Sequence, residues 1–172
     1  MALTLLRHAT LAQKHQGRYN GWTDLDIDPA LFDAKEVSIL KLQKFDIVYS
    51  SDLVRCQQTL AMMSIDEYIT DERLREVRFK EEIEGKSFKE IEKLPSYCSY
   101  YMENIERWHE YICDEHPREF EARIKSFLDA IPKDKEILIC SHAGTIQKMM
   151  VLLGYAKSQI DYLESIRVDN II

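Results

Sequence analysis

No stretch of this sequence approaches the roughly 18–20 consecutive apolar residues that a bilayer crossing needs. Its apolar opening is too short for the core of a secretory signal and lacks a cleavage site, so a cytoplasmic location is expected. The four cysteines (Cys56, Cys98, Cys113, Cys140) form no CxxC pair and no zinc-type spacing, and they read as reduced thiols. Glycine and proline are scarce, at five and four in 172 residues, and they build no linker. With no repeat or low-complexity tract either, one domain over 1–172 is expected, long enough to bury a core without disulfides or metals. Basic residues are outnumbered 23 to 30, and the net charge of −7 argues against nonspecific binding to nucleic acid or anionic membranes. An anionic ligand would need a local basic pocket working against that field.

What is present is the composition of a soluble globular protein, 45% apolar and 31% charged. Three short apolar runs, LTLLR near the start, FDIVYS at 45–50 and EILICS at 136–141, suit strands buried on both faces. EYIT at 67–70 and the C-terminal SIRVDNII are weaker candidates for the same sheet. Helical patterns fall between them. The stretch 30–43 places Phe32, Ile39 and Leu40 on one side with Val37 at the margin, and 51–63 opens on Ser51 or Asp52 as a cap. Tyr97, Tyr101, Ile105, Trp108 and Ile112 recur at helical spacing in 96–115. A further helix over 116–132 has Pro117 near its start, and one over 142–154 ends at Gly154. Strands alternating with helices give an α/β fold, a three-layer α/β/α sandwich around a mostly parallel sheet.

In such sheets ligands sit beyond the carboxyl ends of the strands. Arg7 and His8 follow the first strand, Ser51 to Arg55 the second, and Ser141 and His142 a later one. Polar residues merely covering strand ends would explain each of these singly. Together, two arginines and two histidines at one place would repel one another unless an anion sits among them. Guanidinium forks match phosphate oxygens, and neighbouring positive charge keeps an imidazole neutral and nucleophilic. Phosphoryl transfer asks mainly for positioning and charge neutralisation, and this set supplies both without a metal or other cofactor.

Arg7-His8-Ala9, GRYNGWTD (17–24), SSDLVRCQQT (50–59), LRE (74–76) and SHAG (141–144) together resemble the histidine phosphatase superfamily, the phosphoglycerate mutase-like group with an Arg-His-Gly signature. The resemblance runs in order from Arg7 to about Ile146. It implies a phosphoglycerate mutase-like fold and a phosphohistidine at His8. It further implies a phosphoryl cradle of Arg7, Arg55, His142 and the Ala143 amide, with Glu76 as general acid and base beside His8 and His142. Asn20 and Gly21 fall where relatives touch substrate, and Lys14 stands where they usually carry a phosphate-contacting asparagine. Ala9 replaces the signature glycine, and FKEEIEG (79–85) departs from the frequent FGxWEG.

Glu84 is the next candidate for the acid after Glu76, ahead of the solvated Glu81 and Glu82. His15, His109 and His116 show no ligand-like grouping and read as solvent-facing. Tyr101 or Trp108 could help close the pocket, although their stripe fits a core equally well. The expected activity is hydrolysis of a small phosphorylated metabolite, a metal-independent phosphomonoesterase reaction. GRYNGWTDLDI resembles the GRYxGxTDxPL style of family members acting on α-ribazole phosphate, with Asp26-Ile27 in place of Pro-Leu, and that resemblance implies α-ribazole 5'-phosphate as a candidate substrate. The alternatives are a phosphoglycerate mutase and a relative that binds phosphorylated ligands without turnover. Only about 65 residues separate Glu76 from His142, a short segment for a mutase. The sequence leaves oligomeric state open, a homodimer through an exposed C-terminal edge strand included.

Overall fold

The computed structural model describes residues 2–156 and 159–169. At its centre is a five-stranded sheet of order β3-β2-β4-β1-β5. The strands are β1 (Ala2–Arg7), β2 (Ile47–Ser50), β3 (Ile69–Thr70), β4 (Glu136–Ser141) and β5 (Ser165–Asp169). β1 to β4 run parallel, and β5 pairs antiparallel with β1 at one edge. All five apolar runs of the sequence therefore become strands, although residues 170–172 of the last one lie outside the described residues.

Alternation along β1 and β4 sorts the core into two layers. Leu3, Leu5, Ile137 and Ile139 pack with Ile124, Phe127 and Leu128 of α5 (Pro117–Ala130) and Ile146 and Met149 of α6 (Ala143–Leu152). Leu6, Leu138 and Cys140 pack instead with Leu40 of α1 (Ser38–Leu42) and Cys56 and Leu60 of α2 (Val54–Met62). Helices thus cover both faces of the sheet. Each such buried side chain contributes about 1.5–3 kcal/mol of hydrophobic stabilisation. A third cluster joins Ile83, Ile91 of α3 (Phe88–Ile91) and Tyr111 and Ile112 of α4 (Ile105–Ile112) to Tyr19, Phe79 and Trp108.

The helices depart from the sequence pattern at three places. Over 30–43 the expected helix is reduced to a 3-10 turn at Pro29–Leu31 and the short α1, because the Asp33 side chain accepts from Lys35 N at 2.8 Å and turns the chain between them. Val37 and Leu40 face the core while Ile39 is exposed, the reverse of the expected placing of Val37 and Ile39. α2 is capped neither by Ser51 nor by Asp52. The carboxylate of Asp24 reaches across to accept from Val54 N at 2.9 Å, while Asp52 is engaged by Arg75. The stretch 96–115 is divided by Asn104, whose side chain accepts from Arg107 N and starts α4 afresh after a short 3-10 turn.

Candidate active site

Because β1, β2 and β4 are parallel and in register, their carboxyl ends lie side by side, with Arg7 opposite Ser141 and Ser50 opposite Cys140. The residues that follow each strand meet there. Arg7, His8, Asn20, Arg55, Glu76, His142 and Ala143 line one cavity of about 180 Å³.

His8 is buried, and its Nδ1 lies 2.8 Å from the Ala9 carbonyl oxygen. A carbonyl only accepts, so Nδ1 carries the proton and donates, and Nε2 keeps its lone pair. Ala9 has an ordinary negative φ, and its amide donates to Thr59 Oγ1 at 2.8 Å, so the missing signature glycine costs no backbone strain. Arg7 donates from Nη1 to the Ile160 carbonyl at 2.7 Å and stacks 3.8 Å above the Tyr162 ring. Its Nε is buried with no hydrogen-bond partner among the described residues.

Arg55 is 1% exposed and is held on every side. Nη2 donates to Gly21 O (2.7 Å), Nη1 to Thr23 O (3.0 Å) and Nε to His142 Nδ1 (3.1 Å). That last bond fixes the His142 tautomer: Nε2 carries the proton and faces Ser51 Oγ at 2.9 Å. Both ring nitrogens of His142 are thus engaged by the protein. A phosphate contact from this ring requires giving up one of those bonds.

Glu76 follows the 3-10 turn at Glu72–Leu74. Its Oε1 accepts from Val77 N at 3.0 Å and its Oε2 from Gly144 N at 3.0 Å. The second bond satisfies one first-turn N–H of α6, and Ala143 just before it brings another to the cavity wall. Glu84 does something else: its Oε1 accepts from Gly21 N at 2.8 Å and Thr23 N at 3.3 Å, which folds the 20–24 loop. Gly21 acts through its backbone, and a Cβ there would approach Val77 O to 2.8 Å.

Lys14 is a correction. It sits exposed on a 3-10 turn and does not line the cavity, because the turn at Gln13–His15 directs it to solvent. The third cation at the cavity is Arg18, which the sequence reading passed over; it bonds Gly85 O and Glu90. Tyr162 was also missed. It lies 5.5 Å from the His8 ring, yet no motif surrounds it in the sequence. Asn20 lines the cavity, donating from Nδ2 to His15 O at 2.6 Å while its Oδ1 is buried without a partner among the described residues. His109 is half-buried, whereas His116 is exposed and caps α5 through Nδ1. Tyr101 stacks on Tyr111 and belongs to the core.

Burial, and after it the Arg55 and Arg7 guanidinium charges, hold the His8 imidazole well below its ordinary pKa. His142 is lowered likewise, first by burial, then by Arg55 and by His8 itself. Both rings are expected to remain neutral at pH 6, read by 15N chemical shifts of the ring nitrogens. The linkage has a definite sign. The unfolded chain takes up these protons near pH 6.5, so their contribution to stability is complete above that and is lost as pH falls below it. A His8 midpoint at or above 6.5 would contradict this electrostatic account.

The model of the histidine phosphatase superfamily (branch 1) matches residues 3–171. The chain belongs to the histidine phosphatase superfamily. A 2,3-bisphosphoglycerate-dependent phosphoglycerate mutase of Pseudoalteromonas atlantica is 35% identical over 60 residues, a match covering 34% of this chain and 26% of that mutase. Similar folds occur in TTHB049 of Thermus thermophilus (TM-score 0.77, 24% identity, 98% of this chain and 94% of that one) and in a phosphoglycerate mutase of the same organism (0.72, 23%, 98% and 93%). The Rv3214 product of Mycobacterium tuberculosis is also similar (0.75, 18%, 96% and 89%). This member of the superfamily therefore has the phosphoglycerate mutase-like α/β fold. Among the described residues, no helix is long and apolar enough to cross a membrane.

Proposed function

We propose that the protein is a phosphomonoester hydrolase that works through a phosphohistidine on a small phosphorylated metabolite. The observation that carries this reading is the state of His8. Nδ1–H is tied to Ala9 O, and the Nε2 lone pair is left at a cavity where the buried Arg7 Nε lacks an acceptor. A phosphate oxygen would complete Arg7, and the phosphorus would then stand before Nε2.

In the first step Nε2 bonds to phosphorus as the phosphorus–oxygen bond to the alcohol breaks, and Glu76 in its acid form gives that oxygen a proton. In the second, the Glu76 carboxylate takes a proton from water, whose oxygen displaces phosphate from Nε2. Arg7, Arg55 and the α6 N-terminus neutralise the equatorial oxygens throughout. His142 serves by fixing Arg55. Hydrolysis is preferred to transfer because the segment between Glu76 and His142 is short, so water meets little competition.

The test is phosphate release from a panel of esters, α-ribazole 5'-phosphate and 3-phosphoglycerate included, with His8→Ala alongside. Native release, lost by at least a thousandfold in H8A, is expected, with 32P retained on the native chain at acid-labile stoichiometry. Release that survives H8A would sink the mechanism. Isomerisation of 3-phosphoglycerate dependent on 2,3-bisphosphoglycerate would assign a mutase, and tight vanadate binding without turnover a binding relative.

A further inference from the structure

Tyr19 and Phe79 line two cavities, and the one that holds His8 is the smaller. The second has a volume of about 330 Å³. Its other walls are mainly apolar, Ile105, Trp108 and Ile112 of α4, Phe120 of α5 and Val151 of α6, with Glu115, Gln147 and Lys148 among its few polar members. Ile105 and Val151 are about half exposed, so this is an apolar recess open to solvent between three helices, the shape in which ligands bury their apolar parts.

Its position relative to Glu76 says which part of a ligand it would take. Gly144 lines the large cavity, and its amide holds Glu76 Oε2. Val77, whose amide holds Oε1, lines it too. The Cys113 thiol on the same wall is pushed up to about 12, by burial first and then by the charges of Glu115 and Glu76. The acid that protonates the departing oxygen therefore stands where the two cavities adjoin. With phosphate held by Arg7 and Arg55, the alcohol must extend past Glu76.

The wall is preformed. Phe79 bridges Cys113, Lys80 N donates to Ile112 O at 2.9 Å and Asp114 N to Arg78 O at 2.9 Å, which pins the 77–80 segment to the end of α4. Edge-to-face contacts of Tyr19 with Phe79 (5.4 Å) and Trp108 (5.9 Å) lock the shared rings. A preformed, mainly apolar site binds an apolar ring with little ordering penalty, whereas a polyhydroxylated alcohol would set most of its hydroxyls against Ile105, Trp108, Ile112, Phe120 and Val151, which cannot replace its hydration.

We propose that this cavity is the subsite for the alcohol part of the substrate, and that it selects a neutral aromatic or branched apolar group. The bond that breaks rests on the hydrolase reading; the binding preference does not. Calorimetric titration of the native protein with 1-naphthylmethylphosphonate and with methylphosphonate tests the preference without turnover. The naphthyl compound is expected to bind at least roughly tenfold tighter, the return for burying a ring system. Gln147→Trp and Val151→Trp, on the cavity wall of α6, should each erase that difference and leave methylphosphonate binding unchanged. Val151 is 49% exposed, so its replacement threatens the fold little. Equal binding of the two phosphonates, or a preference that survives both filled variants, overturns the subsite.

Turnover separates this from the hydrolase reading. Native kcat/KM should favour 1-naphthylmethyl phosphate over glycerol phosphate, and the filled variants should lose that advantage through KM. Phosphonate selectivity with no ester hydrolysed leaves the subsite standing and sinks the hydrolase. Equal hydrolysis of both esters does the reverse.

Discussion

Arg55→Ala is expected to destabilise the fold by about 3 kcal/mol and to abolish phosphate binding. The side chain is almost completely buried, and its three partners are two backbone carbonyls and an imidazole nitrogen. Each loses its donor at once, at about 1–3 kcal/mol for a buried group left unpaired, less whatever water entering the cavity restores. The second effect is electrostatic. Arg55 is the largest charge acting on both histidines, so its removal should let their ring pKa values rise towards the ordinary range. Urea midpoints, phosphate titration and ring 15N shifts read the three consequences separately. Arg55→Lys restores the charge but cannot reach Gly21, Thr23 and His142 together, so it should recover the ring shifts better than the stability. A stability change for Arg55→Ala below about 1 kcal/mol would show that the network carries little of the fold.

Gly144→Ala should weigh far more on activity than on stability, since the loss of the Gly144 N–Glu76 bond, about 1 kcal/mol, is offset by alanine's better helix propensity. Gly144 lies in the first turn of α6, where alanine is intrinsically the better helix former by about 1 kcal/mol. A Cβ there would stand 2.5 Å from Glu76 Oε1 and 3.2 Å from its Cδ, so the carboxyl group must swing away. Losing a positioned general acid lowers kcat by about 10²–10⁴-fold. The loss should fall mainly on kcat, since Arg7 and Arg55 keep their places. Parallel melts and steady-state kinetics check the split, and an unchanged kcat would remove Glu76 from the acid's role.

The strands were legible because a strand buried on both faces leaves a continuous apolar run, and LTLLR and EILICS each do. The helix at 30–43 was over-read because periodicity does not register a local competitor such as the Asp33 turn. Asp24 as the cap of α2 is a contact across 30 residues, invisible to rules that search the adjoining sequence. The same division runs through the site. His8, Arg55 and His142 sit one to five residues beyond strand ends, and parallel pairing alone brings them together. Lys14 and Arg18 share a loop, and which one turns inward depends on how that loop docks against Gly85 and Glu90. The apolar cavity was hidden for a different reason. Ile105, Trp108 and Ile112 fit the stripe of a helix packed solidly on a core, and only the spacing of α4 from α6 leaves room between them.

The bond from Arg7 to Ile160 joins positions 153 residues apart, and the Arg7 amide is likewise held by Glu164. Contacts of such separation carry a high loop-closure cost and form late. Arg7, next to His8, is therefore clamped only when the 160–164 segment and β5 have docked on β1. The same docking step that seats the antiparallel edge strand thereby also sets the Arg7 guanidinium in the cavity wall.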